Sequence, residues 1–161
     1  MVASKTAVMP LLPGWHPLVV HFPLALIVTA TLTLTLARVV RSGRLAATLA
    51  TVGTWNLCLG AVGVFFALGT GLAAVMGLNV GAAAHQAISS HVKSAVVTTL
   101  LVLLAAVWRG SGTDADSRPS SLFLVIVWAA TAALVVTGYR GGQNVYRYGI
   151  GVATSIESQN R

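Results

Sequence analysis

Four long stretches of this sequence contain no Asp, Glu, Lys or Arg: residues 6–37, 45–92, 94–108 and 119–139. A soluble domain carries about a quarter of its residues as charged side chains. Here the share is 8%, with 10 basic and 3 acidic residues, and the mean hydropathy is +0.83. Such runs have nowhere to face but hydrocarbon. That excludes a soluble enzyme, a disordered tail and a secreted disulfide scaffold. The net charge of +7 does not point to nucleic acid, because the basic residues stand singly and form no basic helix face. They mark membrane edges.

A helix needs about 20 apolar residues to cross the roughly 30 Å hydrocarbon core. The charge-free runs therefore predict spans over 17–37, 47–76, 88–108 and 122–138. The third must reach back past Lys93, whose ammonium snorkels to the surface. Residues 77–81 read as a turn. The alternating segment from Thr31 to Leu36 has a strand-like period. A lone strand in lipid leaves its backbone unpaired, so helix is expected there too. Four helices with short connections predict an all-α, integral membrane, antiparallel four-helix bundle forming a single domain over 1–161. Gly60, Gly63, Gly69 and Gly71 read as close-packing positions of the second span. Cys58 is the only cysteine, which excludes an internal disulfide, a CxxCH haem attachment and a thiolate cage. Residues 1–15 lack a charged n-region before a cleavable apolar core, so the first span is expected to be retained.

Basic residues divide evenly between the two faces. Arg38, Arg41 and Arg44 crowd the short loop after the first span, and short loops weigh most in setting orientation. The expectation is a bacterial inner-membrane protein with that loop in the cytoplasm and both termini periplasmic.

All four histidines fall at the other end of the bundle. His16 and His21 open the first span; His85 and His91 open the third. Depth can be counted back from the basic stops. His21 lies 17 residues before Arg38 and His91 lies 18 before Arg109, whereas His16 and His85 lie 22 and 24 before the same stops. His21 and His91 are thus the expected deep pair on diagonal helices, with His16 and His85 one or two turns shallower. The shallow pair would hold a second site, tune the first or exchange roles with the deep pair. Five- and six-residue spacings do not stack both histidines of a helix on one face. Ionisable groups inside a span are functional candidates by default.

Neutral imidazole suits Zn, Cu and Fe. The acids are Asp114 and Asp116, on the opposite face, and Glu157, in the tail, and the absence of an intramembrane carboxylate disfavours hydrolysis and a proton relay. Bis-histidine haem b is the preferred cofactor, with copper or none as alternatives. Pro23 sits beside His21 inside the first span. It either kinks the helix and makes room for a planar cofactor, or is a tolerated membrane proline. Residues 139–152 read as a shaped, glycine-rich loop returning to the histidine end. Its Arg140 and Arg147 can hold anionic groups such as haem propionates, or anchor to headgroups.

Two segments carry a family resemblance. His16-Pro17-Leu18-Val19-Val20-His21-Phe22-Pro23 and Gly141-Gly142-Gln143-Asn144-Val145-Tyr146-Arg147-Tyr148-Gly149-Ile150-Gly151-Val152 resemble the HPxxVHFP opening and GGxxVYRxGxGV close of a bacterial family. That family is the small four-span membrane proteins grouped as domain of unknown function 2231. Tyr148 stands where relatives often have histidine. The resemblance implies a four-span membrane fold and no established activity. Relatives joined to cytochrome or Rieske-type modules would imply electron transfer to a redox partner. The resulting expectation is a haem-binding protein that carries electrons or anchors a membrane or periplasmic redox partner, more an electron-transfer subunit than a stand-alone enzyme. The alternatives are a non-catalytic accessory subunit of a larger membrane complex and an imidazole-held copper or other metal site.

Overall fold

Every boundary between helices falls where the backbone is given a reason to turn. Ser42 caps the second helix by accepting from Leu45 N, and Ser120 caps the fourth by accepting from Phe123 N. Gly81 stands at the start of the third. The computed structural model describes residues 15–76, 80–112 and 117–151. It contains α1 (His16–Val39), α2 (Gly43–Val75), α3 (Ala82–Ser111) and α4 (Ser121–Tyr146), with no strand among the described residues. All four are long and apolar enough to cross a membrane. The TLTLTL segment is helical, and Thr31, Thr33 and Thr35 each donate a hydroxyl to the carbonyl four residues back.

Each helix packs on its sequence neighbours, and α1 closes the ring against α4. The diagonal pairs are α1 with α3 and α2 with α4, the arrangement of an up-down bundle. The tightest seam lies between α1 and α2. Gly53, Gly60, Gly63 and Gly71 face Leu34, Ile27, Pro23 and His16, one antiparallel register held over the whole length. A Cβ at these glycines would come within 2.6–3.0 Å of those side chains, so any larger residue would force the facing side chain to move. Pro23 is buried in this seam, and α1 continues through it. Its ring fills space against Gly63, which is a packing role.

The bundle interior combines an aliphatic core with hydroxyl ties. Ile27, Leu34, Leu57, Val102 and Val127 are fully buried. Thr31 meets Thr131 at 2.7 Å, tying α1 to α4, and Thr98 meets Thr137 at 2.9 Å, tying α3 to α4. Only 22–28% of each apolar span is buried between helices. The remainder, including Phe65, Phe66 and Trp55, faces outward as lipid-facing surface does.

Three sequence boundaries move. α3 begins at Ala82, two turns before the expected Ile88, and α2 begins at Gly43. α4 runs on from Gly138 to Tyr146, through the Gly141-Gly142 pair expected to shape a loop. The turn starts after the helix: Gly149 and Gly151 have φ of +63° and +80°, a region that favours glycine. Residues 77–79 of the expected turn, and Val152, lie outside the described residues.

Candidate functional site: an imidazole pair at one end of the bundle

α1 opens with Trp15 as N-cap and Pro17 in the first turn, so His16 is the first helical residue. Its ring lies over Gly71 of α2, where a Cβ would sit 2.9 Å from Cε1. His16 Nδ1 is 3.2 Å from Thr70 Oγ1. The Thr70 hydroxyl reaches Phe66 O and Ala67 O of its own helix, at 3.0 and 3.1 Å. With the hydroxyl donated there, its oxygen accepts from His16 Nδ1–H, and in that tautomer the lone pair is on Nε2.

His91 repeats the design at the other end of the α1–α3 diagonal. Its ring lies over Gly141 of α4, where a Cβ would sit 3.1 Å from Cε1. Its Nδ1 is 3.1 Å from the Thr137 carbonyl. A carbonyl brings no proton, so Nδ1–H is the donor and Nε2 again keeps the lone pair. His16 on α1 and His91 on α3 are both half-buried at this end of the bundle. The two helices that contribute no histidine contribute glycine instead, and this keeps side chains off the imidazole faces.

Two further polar groups belong to this end. The Arg140 guanidinium donates to Ser90 O at 3.0 Å and acts electrostatically on His91. Asn144 is 8% exposed, on the same face of α4 as Thr137. Its Oδ1 is buried and has no hydrogen-bond partner among the described residues. Leaving such an acceptor unpaired costs roughly 1–3 kcal/mol.

The other expected residues are placed differently. His21 is exposed, and its Nδ1 donates to the Pro17 carbonyl of its own helix. His85 is exposed near the start of α3. Arg147 is exposed and lies over the Tyr148 ring, 5.9 Å from its centroid. Of the two α1 histidines, His16 is the half-buried one, as His91 is on α3. Arg38 is exposed, whereas Arg109 is half-buried, with its Nε on Thr54 and its outer nitrogens on Ser117. No group of three or more His, Cys, Asp or Glu side chains gathers among the described residues. Asp114, Asp116 and Glu157 lie outside them.

Thr70, Gly71, Gly141 and Asn144 have no role in the sequence reading of this site. A glycine at the helical level of each histidine is the signal that would have found the first three; Asn144 leaves no periodic trace.

These features define a four-span membrane bundle with a polar centre, built from a diagonal imidazole pair, at one end. The chain matches the family described as predicted membrane protein, DUF2231, over residues 13–154, and it belongs to that family. No significant match exists among curated proteins or solved structures.

Proposed function

We propose that this chain is a b-type haem protein of the bacterial inner membrane, holding its cofactor between Nε2 of His16 and Nε2 of His91. The observation that carries this reading is that both Nδ1 atoms are engaged by oxygens of the adjacent helix. Each histidine spends Nδ1–H on a fixed acceptor of the adjacent helix and keeps its Nε2 lone pair, the arrangement that orients imidazole ligands at metals. The donor set also fits, since two neutral imidazoles without a thiolate suit haem iron. Gly71 and Gly141 give the two imidazole rings room to lie against α2 and α4, which holds each ring in place. Arg140, beside His91, offers positive charge to anionic substituents. Asn144 Oδ1, buried without a donor, supports a ligand-bearing end.

Haem would supply one-electron transfer. The protein's own part is to hold two imidazoles in one tautomer, to exclude side chains from their faces and to surround them with lipid-embedded helices. In this proposal the histidine end and both termini face the periplasm, and the exchange partner is a membrane or periplasmic redox protein.

The test is the oxidised and reduced absorption spectrum of protein purified from membranes after expression with ample haem. The expected result is a Soret band that shifts on reduction, with stoichiometric iron. Stoichiometric copper without a porphyrin band would replace haem by an imidazole-held ion. A colourless, metal-free protein that co-purifies with other subunits would overturn the proposal in favour of an accessory role.

A further inference from the structure

The opposite end of the bundle holds a different kind of site. A cavity of about 280 Å³ opens between the end of α3 and the start of α4. Trp108 and Phe123 form its apolar side, packed edge to face with centroids 6.2 Å apart. Arg109 and Arg118 form its charged side. The Arg109 guanidinium lies 5.8 Å from the Phe123 ring centroid and is fixed by Ser117 and Thr54. Arg118 spends only Nη2, on the carbonyls of Val40 and Arg41. Its Nε and Nη1 donors make no hydrogen bond among the described residues. The positive end of the 26-residue helix α4 opens into the same cavity at Ser120.

The surroundings decide the source of an anion. Val107 and Leu122 flank the cavity's residues in sequence and are 66% and 62% exposed, so the charged mouth runs directly into lipid-facing surface. A free phosphate would use only the guanidinium side. A phospholipid would use both, placing its phosphodiester against Arg118 and its glycerol and acyl chains along Trp108 and Phe123. We infer that this cavity is a binding site for the headgroup of an anionic phospholipid such as phosphatidylglycerol, held by Arg118 at the membrane boundary. The site stands on residues remote from the histidines and is independent of the haem proposal.

The full chain, purified in neutral detergent, is tested by native mass spectrometry with phosphatidylglycerol, phosphatidylcholine or inorganic phosphate. One phosphatidylglycerol is expected to be retained in preference to phosphatidylcholine. Arg118→Gln should weaken it about tenfold, as loss of a charge-assisted contact does. Arg44→Gln removes an equal charge at the same end from an exposed position outside the cavity, and should leave binding within about twofold. Arg118→Lys keeps the charge without the planar fork, and should fall between the two if Arg118→Gln does not fold. Equal loss in the Arg44 and Arg118 variants would overturn the site in favour of diffuse attraction. No preference over phosphatidylcholine would overturn it too, as would displacement by equimolar phosphate. In the first case the chain's own Asp114 and Asp116 become the natural counter-charges.

Discussion

Asn144 is the residue at which stability and binding pull in opposite directions. Its carboxamide oxygen is buried without a donor, a cost of roughly 1–3 kcal/mol in the free protein. Asn144→Leu removes that cost and keeps the branched shape. Thermal unfolding of the ligand-free variant should move upward, by an amount matching about 1 kcal/mol or more, while affinity for the centre's ligand falls. A variant less stable than the parent would show that the oxygen is paired in solution. Thr70 tests the complementary half of the centre. Thr70→Val preserves shape but deletes the acceptor that fixes His16. Outer-shell losses of this kind cost about 10–100-fold in metal affinity. A haemin titration of Thr70→Val should show a loss of that order with helicity unchanged; full-strength binding would make the Thr70 contact incidental.

At the scale of the elements, the α1–α2 seam makes the sharpest demand. A Cβ at Gly60 would come 2.8 Å from Ile27 Cγ1, and at Gly53 2.6 Å from Leu34 Cγ. Gly60→Leu should destabilise the bundle by about 1–3 kcal/mol through overpacking, read as a lower melting temperature in detergent. The same substitution at Gly69, where nothing lies within 4 Å of a Cβ, should be nearly neutral. Comparable effects at the two positions would contradict the seam. The elements were also the most legible part of the sequence. Absence of charge over residues 45–92 leaves little alternative to membrane helices, and all four expected spans fall within helices apart from Met76. What escaped was where each helix ends. Gly141 and Gly142 suggested a loop by the rules of soluble chains. In lipid a glycine lets a neighbour approach, and at Gly141 the neighbour is His91. Arg109 finds Thr54, Ser117 and the Phe123 ring, partners that a residue count along α3 does not reveal. Which histidines pair depends in the same way on inter-helix register, which counts along single helices do not supply.

At the scale of the molecule, the bundle separates two ends with different chemistry. One carries imidazoles and glycines; the other carries Arg38, Arg41, Arg44, Arg109 and Arg118. Dense positive charge in short loops favours the cytoplasmic side, which is also where anionic headgroups attract arginine most strongly. The proposed orientation can be read with an impermeant maleimide on cells carrying Cys58→Ala. Tyr148→Cys should be labelled in intact spheroplasts, and Ser42→Cys only after permeabilisation, both positions being exposed. The reverse pattern would turn the molecule over while leaving both ends' chemistry unchanged.

The central claim concerns one pair of side chains out of four histidines. It is tested most directly by titrating haemin into four purified variants in parallel: His16→Ala, His21→Ala, His85→Ala and His91→Ala. The expected result is loss of the bis-histidine spectrum in the His16 and His91 variants, with near-parental binding in the other two. Retention in His16→Ala with loss in His21→Ala would contradict the pairing, and retention in all four would contradict the centre itself.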